Sequence, residues 1–549
     1  MDKSRNWAEQ IEIYNLEDEI ESLKKENKAL KKKNLHFKST KAYSSWMKSI
    51  ELKNKVKGKK SRPKTKHIRD IKVAILADEF TYNCYKHEFT PLPITPWNWK
   101  RVFEEEQPDL FFCESAWRGY NGVDKDPWRY KVPEVYTRKD KTNRKELFEV
   151  LEYCKEHGIP TMFWNKEDPF HYKNEKISYA ETAKHFDYIF TTSDQCVEQY
   201  KKDYNHPNVY NLMFAGQPSL FNPMNLTGEK EERVVFAGSY YPNHPERSAL
   251  MEVIFDKIID QWDGKLKIFD RIYYEAWADY PDRFKPYTHP PIPYEQTAVE
   301  YRKANWGLNF NTITDSETMF ARRVFELALS YTFVITNYSV GVEKIFGDNV
   351  FFFDNMDELP DFDYENEKMK LDNLYNVLKN HTYTIRWKQI LDTIGIKYRE
   401  DSANVACVFY VDSSKDIENA IEKFRSINYP KKYLKLVVND DQFTNDDADA
   451  TCRKYKDIDR LYFKTKDINK TIAGHIGADY LIYVEDDIDP DFISHALLHY
   501  QYVNKRITIG MSDDKFRLGV EDSVENKLLP KRIYKEFYKG KNEVDVYYI

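Results

Sequence analysis

Residues 232–247, ERVVFAGSYYPNHPER, put a short β-branched and aromatic run directly before Gly238-Ser239, and a proline-led helix start after it. That order, strand, small-residue loop, helix, is the unit of a parallel α/β sheet. It leaves main-chain N–H groups free at the carboxyl end of the strand. Moving toward the C-terminus, KLKIFDR, ANWGLNFNT, RRVFELALSYTFVITNY and FGDNVFFF continue the series to a helical stretch near 365–395. Moving toward the N-terminus, KVAILAD, DLFFCES (109–115), IPTMFWN (159–165) and DYIFTTS (187–193) alternate with helix-like segments such as RKELFEVLEYCKEHG. Continuous apolar runs of this length are those of strands buried on both faces. The expectation is an α/β protein with two consecutive Rossmann-like domains, 71–223 and 224–400, and a cleft between them.

The flanks differ in texture. Ile13, Leu16, Ile20, Leu23, Leu30 and Phe37, with Asn27 and Asn34 in the intervening slots, follow heptad 3-4 spacing. They predict a coiled coil over 1–40 that makes the protein a homo-oligomer, dimer or trimer; a lone surface helix is the plain alternative. Residues 41–70 read as a basic linker: 24–66 hold 17 Lys/Arg against Glu26 and Glu51. Such a stretch suits a solvated spacer or peripheral contact with an anionic membrane. Residues 401–549 open a third α/β series with NVACVFYVDSS, LKLVVNDDQ and ADYLIYVEDDIDPDF.

With 549 residues, 41% hydrophobic and 15% aromatic, the chain has ample material for several cores and is not a disordered polymer. Its formal charge is −6, so the basic stretch is an island in an acidic chain. No secretory leader and no run of roughly 20 apolar residues stands out, so a cytoplasmic location is expected, with the basic linker able to touch the inner face of the membrane. The cysteines, at 84, 113, 154, 196, 407 and 452, are scattered without a C-x-x-C pair and read as reduced thiols. There is no G-x-x-x-x-G-K-[ST] loop and no G-x-G-x-x-G after a strand, which removes the usual signals for nucleotide hydrolysis and dinucleotide redox chemistry. No nucleic-acid-binding motif accompanies the basic linker, so a nucleic-acid partner is unlikely.

Three groups of residues carry candidate chemistry. Gly238 and Ser239 sit where a diphosphate would meet backbone N–H groups, or where an ordinary tight turn would stand. In SETMFARRVFE (316–326), Arg322 and Arg323 offer planar donor forks for phosphate oxygens, and Glu326 offers a carboxylate for ribose hydroxyls. Arg322 and Glu326 lie at i,i+4, so a plain salt bridge is the competing reading. In FWNKEDPFH (163–171), Glu167, Asp168 and His171 are candidates for a general base on a loop after a strand, with Glu114 a further acidic candidate.

The series DLFFCESAW, IPTMFWNKEDPFHY, FDYIFTT, VVFAGSYYPNHPER, NWGLNFNT, ARRVFELALS and SVGVEKIFGD resembles the CgeB-type (spore maturation protein B-like) glycosyltransferases of GT-B fold, over roughly residues 71–395. The resemblance implies a nucleotide-sugar donor on the second domain, an acceptor over the first, and catalysis in the cleft without an obligatory metal. It assigns Gly238, Ser239 and Arg247 to the first donor loop, Arg322 and Arg323 to the diphosphate, and Glu326 to the ribose. Retaining relatives carry a second glutamate eight positions before the ribose one; Thr318 stands there in this chain, with Glu317 nine away, so stereochemistry stays open. If the enzyme inverts, Asp168, Glu167 or His171 is the base. Residues 401–549 resemble, more loosely, the first half of a family 2, GT-A-type glycosyltransferase. There Glu485, Asp486 and Asp487 stand at the D-x-D position and imply Mg²⁺ or Mn²⁺ if that domain is active. The implied function is sugar transfer to a hydroxyl of a cell-surface glycan, teichoic-acid-like polymer or protein. The other reading is a non-catalytic glycan-binding or scaffold subunit.

Overall fold

The computed structural model describes residues 6–37, 65–136, 143–172, 174, 176–224, 230–242, 244–275, 280–438, 443–455, 462–464, 477–537 and 543–549. Two stretches singled out above lie outside the described residues: most of the basic linker (41–64) and the NDDQ segment (439–442). The chain divides into two units, residues 66–401 and a second made of residues 1–65 together with 402–549.

The first unit holds two six-stranded sheets. In the first sheet β1 (Lys72–Leu76), β2 (Thr90–Pro93), β3 (Leu110–Glu114), β4 (Thr161–Asn165), β5 (Tyr188–Thr191) and β6 (Val209–Asn211) lie in the order β2-β1-β3-β4-β5-β6, all parallel. Every residue of β3 and β4 is buried, which is why LFFCE and TMFWN show no alternation. Helix Lys145–His157 packs Leu147, Val150 and Cys154 against this sheet and ends at Gly158, whose φ of +66° is the left-handed conformation glycine adopts without strain.

The second sheet contains β7 (Glu231–Ala237), β8 (Leu266–Phe269), β9 (Thr288–His289), β10 (Ala304–Asn309), β11 (Phe333–Thr336) and β12 (Phe351–Phe352), in the order β9-β8-β7-β10-β11-β12 and again all parallel. This is the doubly wound order 3-2-1-4-5-6, with its switch point between β7 and β10. Helices Glu367–Asn380 and Tyr383–Ile394, capped by Asn366 and Thr382, then return to the first sheet. Arg386 donates to the carbonyls of Met213 and Phe214, Tyr383 meets Tyr85 edge-on and Trp387 packs tilted against Phe89, both at ring distances of 4.8 Å. The first unit is therefore α/β throughout.

The second unit carries an eight-stranded mixed sheet of β13 (Val405–Val411), β14 (Lys432–Val438), β15 (Tyr462–Lys464), β16 (Tyr480–Tyr483), β17 (Thr508–Gly510), β18 (Leu518–Glu521), β19 (Leu528–Pro530) and β20 (Val544–Tyr548). Its order is β15-β14-β13-β16-β19-β17-β20-β18, parallel through β16 and antiparallel at β19. The N-terminal helix Trp7–Phe37 belongs to this unit. There Tyr14 bonds Asp545, and Glu17 and Asp18 pair with Arg506. No helix among the described residues is long and apolar enough to cross a membrane.

Candidate functional site

β7 ends at Ala237, and at Gly238 a Cβ would lie 2.5 Å from the Phe236 ring. Only glycine fits that approach. Ser239 follows, 3% exposed, and its Oγ has no hydrogen-bond partner among the described residues. Its carbonyl accepts from Arg247 Nη1 at 3.1 Å, and Arg247 lies in the first turn of helix Pro245–Gln261 over the rings of Tyr241 and Phe310. From the other side Arg323 donates to the Ala237 carbonyl at 2.6 Å and to Tyr301 at 3.2 Å. Arg271, just beyond β8, reaches the Tyr241 hydroxyl at 2.5 Å.

Three guanidinium groups thus gather at the carboxyl ends of β7 and β8, and among the described residues their hydrogen bonds go to carbonyls, hydroxyls and the Met251 sulfur, never to a carboxylate. Burial, with Arg323 and Arg271 nearby, lowers the Arg247 pKa. A buried cation next to like charges and an unsatisfied hydroxyl is what an anion-binding site looks like before the anion arrives.

Arg322 does not join this cluster. Its Nε pairs with Glu326 Oε1 at 2.9 Å, and its guanidinium stacks 3.3 Å from the centre of the Phe80 ring, at the start of helix Glu79–Tyr85 in the first domain. Burial works against its charge, but Glu326 together with Tyr294, Tyr383 and Cys84 outweighs this and raises its pKa. Glu326 is 4% exposed and also accepts from the Tyr294 hydroxyl at 2.8 Å, with both bonds on Oε1. The i,i+4 salt bridge therefore exists, and it forms part of the contact between the two domains.

On the first domain, Asp168 is fully buried, with Oδ1 bonded to Asn165 Nδ2 at 2.8 Å and Oδ2 to Thr191 Oγ1 at 2.7 Å. Burial pushes its carboxyl up to about 7. These two bonds hold Asp168, one of the three candidate bases, between the ends of β4 and β5. Glu167 and His171 are partly exposed, with Oε2 and Nε2 3.9 Å apart. Trp117 meets the His171 ring edge-on at 5.5 Å, and the neighbouring Phe170 packs 5.3 Å from His244 of the second domain. Burial lowers the His171 pKa; Glu167 opposes that effect and His244 adds to it. A neutral imidazole at ordinary pH can accept a proton.

Glu114, at 0% exposure, is committed too. It accepts from Lys166 at 2.6 Å, Thr81 at 2.6 Å and the Asp78 N–H at 2.8 Å. Asp78, which sequence reading passed over although it directly follows the KVAILA strand, accepts three successive main-chain N–H groups from Trp117, Arg118 and Gly119 and pairs with Lys166. This ionic knot shapes the loop that carries Trp117. Thr318, where a second carboxylate was sought, bridges the domains: it donates to the Thr192 carbonyl at 2.8 Å and accepts from the Asp194 N–H and Asn211 Nδ2. Glu317 pairs with Lys344 on the surface.

In the second unit, Asp486 accepts from Asn526, and Asp487, with its side chain 92% exposed, lies 3.4 Å from Lys423. Glu485 is raised in pKa by burial and by Glu525. Among the described residues no three acidic, His or Cys side chains converge on a metal position.

Residues 247–392 match the family model described as glycosyl transferase-like. The matched segment contains Arg247, Arg271, Arg322, Arg323 and Glu326. A comparison with curated proteins gives no match. Among solved structures, the chain is similar to Anabaena Alr3699/HepE in complex with UDP and glucose, at 11% identity and TM-score 0.37 over 59% of this chain and 91% of that one. It is similar to an α1,3-fucosyltransferase at 13% identity and TM-score 0.28 over 61% and 92%, and to a UDP-N-acetylglucosamine 2-epimerase at 10% and 0.31 over 59% and 86%.

Proposed function

We propose that this protein is a nucleotide-sugar-dependent glycosyltransferase of GT-B architecture, acting in the cleft of residues 66–401. The observation that carries the reading is the carboxylate-free pair Arg247 and Arg323 flanking the unpaired Ser239 hydroxyl at the end of β7, inside or beside the segment matched as glycosyl transferase-like. In this reading the diphosphate of the donor sits against Gly238, Ser239, Arg247 and Arg323, and Arg271 extends the positive wall. Arginine forks and main-chain dipoles stabilise the charge that builds on the leaving diphosphate. Glu326 serves the ribose through Oε2, with Arg322 and Tyr294 fixing its carboxylate, so Arg322 acts by positioning.

The acceptor hydroxyl, on a glycan, teichoic-acid-like polymer or protein, enters over Trp117 and Phe170. His171, paired with Glu167, accepts its proton as the sugar transfers. Asp168 holds the loop from behind. No metal is assigned to this cleft, and no step is routed through Glu485, Asp486 and Asp487.

The test is donor binding and turnover across UDP-, GDP-, CDP- and dTDP-sugars, with Mn²⁺ or EDTA, for wild type, Glu326→Ala and Asp487→Ala. Turnover lost in Glu326→Ala and indifferent to EDTA and Asp487→Ala supports the reading. Turnover lost in Asp487→Ala and with EDTA moves the chemistry to the second unit. Failure to bind any donor leaves a glycan-binding or scaffold subunit.

A further inference from the structure

The N-terminal helix has two working faces. Toward the C-terminal half of its own unit it presents Tyr14, Asn15, Glu17, Asp18 and Glu21, which meet Asp545, Asn504, Arg506 and Arg532. The Arg506 side chain is only 10% exposed, so this docking is built rather than incidental. The heptad seam points elsewhere. Ile13, Leu16, Ile20 and Leu23 are 47%, 49%, 47% and 52% exposed, and Asn27 continues the row, also exposed. A helix fastened to its own unit by acidic side chains, with an apolar stripe left in water, is the reverse of the usual amphipathic arrangement.

We propose that the occupant of this stripe is the same helix of a second copy, in a parallel, in-register, two-stranded coiled coil. The side chains select that occupant. With Ile13 and Ile20 at a and Leu16 and Leu23 at d, β-branched residues sit where a parallel dimer accepts them and γ-branched ones where it prefers them. Asn27, at the next a position, pairs with its own copy only when the strands are parallel and in register, and it counts against trimers. Charges agree: Glu19 stands at g and Lys24 at e, so the Glu19 carboxylate faces the Lys24 ammonium of the second copy. The like-charge approach of Glu12 to Glu17 of the second copy is relieved because Glu17 is held by Arg506. The docking face uses none of the a and d residues of the seam, so each helix stays on its own unit while the two helices pair. Dimerisation then brings two second units together, independently of the transfer chemistry.

The experiment uses the full chain. Light scattering after size exclusion at micromolar concentration gives twice the 65.7 kDa chain mass; a mass of one chain, or of three, overturns the proposal. Ile20→Lys with Leu23→Lys reduces the mass to one chain with far-UV circular dichroism unchanged, and a persisting dimer refutes the seam. Arg506→Ala retains the dimer; a monomer there refutes the separation of the two faces. Orientation is read from Ile13→Cys and Asn27→Cys, each made alone. All six native cysteines are buried, so mild oxidation cross-links only introduced thiols. Parallel strands cross-link at both positions, whereas an antiparallel pair cannot bring both to their own copies.

Discussion

Replacing Arg247 by Met separates a binding role from a structural one, because the two make opposite demands. Arg247 is largely buried beside Arg323 and Arg271, and its pKa is lowered by burial first and by those like charges next. Its hydrogen bonds in the free protein are one to the Ser239 carbonyl and one to the Met251 sulfur. Removing it forfeits about 1 kcal/mol for the carbonyl bond and recovers a comparable amount from desolvation and repulsion, so the free protein changes by no more than about 1 kcal/mol. Methionine fills the same channel over Tyr241 and Phe310. Binding is different: a charge-assisted bond to a diphosphate oxygen is worth about 1.5–3 kcal/mol, a roughly 10- to 150-fold weaker Kd for a nucleoside diphosphate. Isothermal titration with UDP, GDP, CDP and dTDP, beside a thermal melt without ligand, reads both quantities. Affinity within twofold of wild type for every nucleotide that binds refutes the anion-site reasoning. A drop of many degrees in the ligand-free melt shows instead that Arg247 is a structural strut.

Four further outcomes are expected. Glu326→Ala weakens nucleotide-sugar binding, with the effect largest for ligands that contain ribose; equal loss for inorganic diphosphate, measured by titration, removes the ribose role. His171→Gln lowers kcat with little change in donor KM and abolishes the acidic limb of the pH–rate profile; an unchanged profile assigns the base elsewhere. Asp168 has its folded pKa raised from 3.8 to about 7, so its contribution to stability is complete below the ordinary carboxylate range and is lost as pH rises toward 7. Asp168→Asn removes that loss, which is at most about 4 kcal/mol. Denaturation of both proteins from pH 4 to 8 with parallel stability curves contradicts the assignment. Thr318→Val strips partners from the Asp194 N–H and Asn211, costing about 1–3 kcal/mol, and limited proteolysis between the two sheets is then faster than in wild type.

The α/β character of the cleft unit was legible because parallel strands buried on both faces must be uninterrupted apolar runs, and VVFA, LFFCE and TMFWN are such runs. The strand-end loop at Gly238 and Ser239 was equally legible, since a small residue is what the Phe236 ring leaves room for there. Chemistry-bearing residues were legible as types and not as roles. Asp168, Glu167 and His171 stand within five positions of one another, yet one faces the interior and two the cleft, because successive loop side chains diverge according to what packs behind them. Arg322 and Arg323 are neighbours in sequence, but helical rotation sends the first to Glu326 and Phe80 and the second to Ala237. The knot of Asp78, Glu114 and Lys166, and the bridge at Thr318, join residues from separate strands and domains, and no local pattern announces them. Heptad spacing marked the N-terminal helix from its sequence alone; that its acidic face binds Arg506, almost five hundred residues away, was settled only by folding, since a surface charge shows no partner until the chain brings one to it.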